Sequence, residues 1–187
     1  MNINQPLLFL KKYIQDPKYV GSLVPSSRFL AKRMLDQVSW EHTKTVIELG
    51  SGTGAISRLL AKRLTPKTKV MIFEKDEQMR GRIKNDYPDW ICEGDALQLL
   101  WQLEKHNMQK VDCIFSGLPF FNFSADMRLH LIRQCIAALK PGGLLIAFQY
   151  SLQMRRLLSE YFEIERISLV PLNFPPAFVY VCRKRVE

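Results

Sequence analysis

The strongest constraint on the fold of this chain is the run Glu48-Leu49-Gly50-Ser51-Gly52-Thr53-Gly54, three glycines at alternate positions behind an apolar pentapeptide. The pentapeptide, Thr45 to Leu49 (TVIEL), reads as a buried strand. Beyond the glycines, the segment Ala55 to Leu64 puts Ile56, Leu59, Leu60 and Leu64 on one helical face and is stopped by Pro66. A strand that passes directly into a helix needs a tight turn. Glycines permit that turn and let a bound molecule approach without meeting a Cβ. The G-x-G-x-G spacing differs from the G-x-G-x-x-G dinucleotide fingerprint, whose third glycine comes one residue later. A structural turn without a ligand is the alternative reading.

The same alternation continues along the chain. Lys69 to Phe73 (KVMIF) is the second expected strand, with a polar helix after it from about Asp76 to Asp86. Trp90 to Cys92 is a short third strand and Ala96 to Lys105 a helix. Val111 to Ser116 (VDCIFS) is the fourth strand, and the long helix after it, from about Ser124 to Leu139, is stopped by Lys140-Pro141-Gly142-Gly143. Leu144 to Phe148 (LLIAF) is apolar throughout, as a strand covered on both faces should be. A helix over Ser151 to Glu160, capped by Ser151, precedes two closing strands, Phe162 to Val170 and Ala177 to Arg183. The six-residue connection between those two requires them to be antiparallel. The expected fold is α/β, a doubly wound seven-stranded sheet with the last strand antiparallel.

Ahead of Thr45 lies a helical prologue. Pro6 to Gln15 can form a helix that Asp16-Pro17 breaks, and Pro25-Ser26-Ser27 starts a second from about Arg28 to Val38. The length of 187 residues suits one domain, residues 1–44 as prologue and 45–187 as core.

Twenty-seven lysines and arginines against 18 acids leave a net charge of +9. That excess attracts polyanions such as nucleic acid, an anionic membrane or a phosphorylated substrate, unless it only solubilises the surface. Cys92, Cys113, Cys135 and Cys182 are scattered, with no metal-ligand spacing, so no metal is expected. Cys113 and Cys182 sit in strand-like runs and read as small buried hydrophobes. His42, His106 and His130 read as surface residues. Leu7-Leu8-Phe9-Leu10 is too short for a secretory leader, and no segment approaches the ~20 apolar residues of a membrane span. A cytoplasmic location is expected, with any membrane contact peripheral, at the inner face.

In open parallel sheets ligands bind beyond the carboxyl ends of the strands, where strand order reverses. Glu74 closes the second strand about twenty residues past the glycine turn, where a carboxylate can accept from both hydroxyls of a ribose. The competing reading, a helix-start acid, is already served by Asp76. Asp95, in Glu93-Gly94-Asp95-Ala96 after the third strand, can accept from an adenine amino group while Ala96 leaves room for the ring. It can equally be an N-cap.

Taken together, the glycine turn, Glu74 and Asp95 resemble the class I S-adenosylmethionine-dependent methyltransferases, a Rossmann-like family, from Thr45 to Arg183. The resemblance implies S-adenosyl-L-methionine as methyl donor and S-adenosyl-L-homocysteine as product. It assigns Glu48, Gly50, Ser51, Gly52, Thr53 and Gly54 to the methionine end. Glu74, with Lys75 beside it, goes to the ribose, and Asp95 with Ala96 to the adenine.

The loop after the fourth strand, Ser116-Gly117-Leu118-Pro119-Phe120-Phe121-Asn122-Phe123, is similar to that of the ribosomal RNA adenine-N6 dimethylases, which carry an Asn-Leu-Pro-Tyr type sequence there. Gly117 stands at the Asn position, so the side-chain acceptor for a base amine is missing and the role falls to the backbone carbonyls of Ser116 or Leu118. Three segments combined, Asp16 to Ser27, Ser116-Gly117-Leu118-Pro119 with Asn122-Phe123, and Asn173 to Tyr180, resemble the bacterial phospholipid N-methyltransferases. That resemblance implies an amine acceptor such as phosphatidylethanolamine, with Ser116 to Pro119 and Tyr19 at the reacting centre. Phe120, Phe121, Asn122, Tyr180 and Arg28 would lie around the head group, its cation held by aromatic rings. It also implies docking on anionic lipid through Leu7, Leu8, Leu10 and Ile14 with Lys11 and Lys12, helped by Lys18, Arg28, Lys32 and Arg33. Packing of that helix on the sheet is the alternative. A nucleic-acid methyltransferase, a small-molecule amine methyltransferase and a non-catalytic cofactor-binding module remain open as other functions.

Overall fold

The computed structural model describes residues 26–186. The helix expected over Pro6 to Gln15, the break after it and Tyr19 lie outside the described residues.

The described chain opens on α1 (Arg28–Leu35), whose N-cap Ser27 accepts from the Leu30 backbone N–H through its hydroxyl. Leu30, Ala31, Met34 and Leu35 form its buried face, so this part of the prologue packs on the sheet domain. The helix is shorter than expected: Asp36 ends it, and a 3-10 turn over Trp40–His42 comes next. Then come β1 (Thr45–Leu49), α2 (Ala55–Leu60), β2 (Lys69–Phe73), α3 (Glu77–Asp86) and β3 (Ile91–Glu93). The second half comprises α4 (Leu99–Lys105), β4 (Val111–Ser116), α5 (Ala125–Ala138), β5 (Leu139–Gln149), α6 (Met154–Tyr161), β6 (Glu163–Val170) and β7 (Ala177–Arg183).

The seven strands form one sheet in the order β3-β2-β1-β4-β5-β7-β6. All neighbours are parallel except β7, which runs antiparallel to both β5 and β6. The fold is thus the expected Rossmann-like one. From β1 the chain winds outward through β2 to β3, then returns to β4 on the other side. The reversal of strand order therefore falls between β1 and β4, where parallel sheets bind ligands. At that edge Leu49 lies level with Phe73 and Ser116, and Ser116 with Ala147. One apolar cluster joins α1, α2 and α3 to one face of the sheet, and a second joins α4, α5 and α6 to the other. Cys113 and Cys182 are buried, as expected, and burial pushes the thiols up, Cys182 to about 12.

Three expectations are corrected, the first two by long-range contacts. Lys140-Pro141-Gly142-Gly143 does not merely stop a helix; it is the first part of β5. Leu139 pairs with Val111, Lys140 pairs ionically with Asp112, and Gly142 and Gly143 exchange backbone bonds with Lys184. Ser151 caps nothing. Its carbonyl accepts from the Tyr180 hydroxyl at 2.9 Å, and α6 starts three residues later. The helix expected from Ala96 is a 3-10 turn (Ala96–Gln98) that leads into α4. His42 and His130 are exposed, as expected, and His106 is half-buried. The His106 ring meets the Glu93 carboxylate at 2.7 Å, and the His130 ring meets the Gln134 amide at 2.7 Å.

Candidate active site

The glycine turn is laced to the strands on either side of β1. Gly50 N–H donates to the Phe73 carbonyl at 2.7 Å, and Gly117 N–H donates to that of Leu49 at 2.8 Å. Gly54 stands at the start of α2 with φ +78°, a left-handed conformation that disfavours any Cβ. A Cβ there would also meet the Ile83 side chain at 2.7 Å. At Gly117 the limit is space, since a Cβ would come within 2.8 Å of the Gly50 carbonyl oxygen.

These turns surround a cavity of about 450 Å³, within the roughly 300–1,000 Å³ of small-molecule sites. Gly50, Ser51, Gly52 and Thr53 line one part of it, and Glu74, Lys75, Asp95 and Ala96 another. Gly117, Leu118 and Pro119 line a third. The cavity thus gathers the strand-end residues of β1, β2, β3 and β4.

Glu74 holds the turn directly. Its Oε2 accepts from Gly52 N–H at 2.6 Å and its Oε1 from Asp76 N–H at 3.0 Å. Asp76 caps α3, accepting from Met79 N–H at 2.8 Å, the helix-start role expected of it. Asp95 does double service. It lines the cavity and caps the 3-10 turn, its Oδ1 accepting from Leu97 N–H at 2.9 Å.

Glu48 is placed differently. It is fully buried behind the turn, not on the cavity wall, and its Oε2 accepts from the Ser57 hydroxyl at 2.7 Å. Its Oε1 has no hydrogen-bond partner among the described residues. Burial is the main cause that raises its pKa to about 7, with the nearby Glu74 charge adding to it and the Ser57 bond opposing. Ser51 lines the cavity with a buried hydroxyl that also has no partner among the described residues.

The substrate-side expectations need correction. Phe120 and Tyr180 are core residues: Phe120 packs edge-on against Phe123, and Tyr180 is buried with its hydroxyl on Ser151. Phe121 and Asn122 are exposed and do not line the cavity. Arg28 is exposed too, its guanidinium 5.0 Å above the Phe29 ring. Ser116 is buried, its hydroxyl accepting from Leu118 N–H at 3.3 Å. The Leu118 carbonyl already accepts from Phe120 N–H and from the Gln149 amide, both at 2.9 Å, so both its lone pairs are taken. Among the described residues, the aromatic residues that line the cavity are Phe73, Phe123, Phe148 and Tyr150. Phe148 and Tyr150 end β5 and its following turn, with rings 5.8 Å apart edge to face. Both stand at the carboxyl end of β5, where open parallel sheets bind ligands.

A protein-family model described as a methyltransferase domain matches residues 46–143, which include the glycine turn, Glu74, Asp95 and the loop after β4. The chain belongs to that methyltransferase family. Its donor is S-adenosyl-L-methionine. The cavity suits that group: the wall at Gly52 is open, with nothing within 4 Å of an added Cβ, carboxylates of Glu74 and Asp95 lie along the wall, and the Ser51 hydroxyl is unpaired among the described residues. This methyltransferase is 31% identical over 184 residues to the ornithine lipid N-methyltransferase of Singulisphaera acidiphila, covering 94% of each chain. It is 27% identical to the ribosomal RNA small subunit methyltransferase A of Chlorobium phaeobacteroides. That match takes in 55% of this chain and only 37% of the relative. Among solved structures, the N-methyltransferase NodS of Bradyrhizobium japonicum in complex with S-adenosyl-L-homocysteine superposes with a TM-score of 0.66. The identity is 15%, over 97% of this chain and 98% of that one. TrmN of Thermus thermophilus gives 0.64 at 22% identity, over 94% and 53%.

Proposed function

We propose that this methyltransferase adds methyl groups to the amine of a membrane lipid, phosphatidylethanolamine or an amino-acid lipid of the ornithine type. The observation that carries this reading is the similarity to an ornithine lipid N-methyltransferase along nearly the whole of both chains. The space at Gly117 agrees with it. A side-chain acceptor for a nucleobase amine cannot be placed there without moving the Gly50 carbonyl.

In this reading the glycine turn and Ser51 hold the methionine end of the donor. Glu74, with Lys75 beside it, takes the ribose, and Asp95 with Ala96 the adenine. Bound there, S-adenosyl-L-methionine supplies a sulfonium methyl for in-line transfer. The protein's part is positioning and exclusion of water. Gly117 to Pro119 form the wall beside the transferring methyl, and Tyr19 stays a candidate at the same centre. Phe123, Phe148 and Tyr150 replace Phe120, Phe121 and Tyr180 as the rings that hold a cationic head group. An alkylammonium has a pKa near ~10 and must shed a proton before it can attack. Basic residues of the prologue, Lys11 and Lys12 among them, favour an anionic membrane surface as partner.

The test is to offer labelled S-adenosyl-L-methionine to a total cell extract and separate lipid, RNA and protein. Label in an amine-bearing lipid is expected. Label confined to ribosomal RNA would replace this reading with the nucleic-acid one, which the charge of +9 and the partial match to the ribosomal RNA enzyme favour.

A further inference from the structure

Among the described residues, six of the ten large apolar side chains left exposed lie at one edge of the sheet. Because β6 runs parallel to β5, the turn between β6 and β7 lies at the carboxyl edge, beside the loops after β4 and β5. The start of α1 joins them. Ser27 N–H donates to the Asn173 side chain at 2.8 Å, while the Asn173 amide donates to the Pro175 carbonyl at 2.7 Å. These bonds hold buried Asn173 inward and leave its neighbour Leu172 outside, 64% exposed. Leu169 near the end of β6, Phe174 of the same turn, Leu152 after β5, Phe121 after β4 and Phe29 of α1 are exposed as well. The cavity borders three of these segments, its lining residues Ser26, Pro119 and Tyr150 standing two or three positions before Phe29, Phe121 and Leu152.

The charge on this edge is one-sided. The segments 26–29, 119–124, 150–155 and 169–176 contain no aspartate or glutamate, and their only charged residues are Arg28 and Arg155. Both arginines are exposed, and Arg28 lies over Phe29. On the far side of the cavity carboxylates are present: Asp76 and Asp95 line it, together with Lys75. Single apolar side chains on separate segments, interleaved with arginine and free of carboxylates, fit a layer of phosphates over hydrocarbon. We propose that the β6–β7 turn, together with Leu152 and Phe121 on their loops and Phe29 at the start of α1, is a membrane-docking surface. It seats the cavity mouth on an anionic bilayer, and the side bearing Asp76 and Asp95 stays in water. This rests on the reading of a lipid amine as acceptor: docking would bring the cavity to the plane in which such amines lie, leaving the acyl chains in the bilayer.

The test uses the full chain and vesicles of equal parts phosphatidylcholine and phosphatidylglycerol, neither of which carries a methylatable primary amine. The double variant L152S/L172S is expected to lower vesicle affinity roughly tenfold or more, with S-adenosyl-L-homocysteine affinity by calorimetry unchanged. Trp101→Ser, at an exposed apolar residue of α4 near the acidic side, is expected to leave vesicle affinity unaltered. Unchanged vesicle affinity in L152S/L172S overturns the proposal, as does a wild-type chain that ignores the vesicles. Retained docking with no methylation of any lipid amine would instead remove the substrate reading and leave the surface standing.

Discussion

The Glu74 carboxylate accepts a 2.6 Å hydrogen bond from the Gly52 backbone N–H, so the end of β2 fixes the shape of the turn after β1. Two strands that pair side by side thereby position one binding surface. A charge-assisted bond of this kind contributes about 1.5–3 kcal/mol. Glu74→Gln turns an amide donor toward a backbone donor and is expected to weaken S-adenosyl-L-homocysteine binding by roughly tenfold or more. Titration calorimetry measures this, with circular dichroism confirming the fold.

Gly117 and Gly52 separate space from backbone strain. Around Gly52 nothing lies within 4 Å of an added Cβ, but φ is +52°. Gly52→Ala should therefore lose only about 1–2 kcal/mol of stability. Gly117→Ala drives a Cβ against the Gly50 carbonyl oxygen and must displace the glycine turn. It is expected to be the more destabilising in urea unfolding, and the one that abolishes cofactor binding.

Glu48 makes stability depend on pH in a definite direction. Its carboxyl titrates at about 7 in the folded chain against 4.5 ordinarily, so folding favours the protonated form. Its contribution is fully present below about 4.5 and is lost as pH rises through 7. Glu48→Gln removes the charge and retains a carbonyl acceptor for the Ser57 hydroxyl. Its stability relative to wild type should rise across that window, by an amount on the order of 3 kcal/mol at the top. Melting temperatures of both proteins at pH 5 and pH 8 test this; a constant difference would show that Glu48 does not titrate there.

Phe148 and Tyr150 are expected to act on the acceptor rather than the donor. Burial raises the Tyr150 pKa, with a bond to the Asn173 side chain opposing, so the ring stays neutral and offers its face to a cation. Phe148→Leu and Tyr150→Leu should raise KM for the amine several-fold, in line with about 0.5–2 kcal/mol for such contacts. Donor affinity should stay within about twofold in the same proteins. Steady-state kinetics with the lipid dispersed in detergent separates the two.

Local sequence already places the points where strands turn into helices around the site. The alternation of short apolar runs with amphipathic ones, the glycines at 50, 52 and 54, and the spacing to Glu74 and Asp95 depend on near neighbours, so they are legible in sequence. Which side chains meet the cavity depends instead on how distant strands come together. An aromatic residue is equally well buried in the core or in a cavity wall, so hydrophobicity does not distinguish Phe120 and Tyr180 from Phe148 and Tyr150. That choice comes from the insertion of β7 between β5 and β6, which takes the Tyr180 hydroxyl to Ser151 and leaves Tyr150 at the cavity. Long-range pairing likewise made Lys140 to Gly143 part of a strand, since its partners Val111, Asp112 and Lys184 are about thirty to forty residues away and lie beyond any local signal.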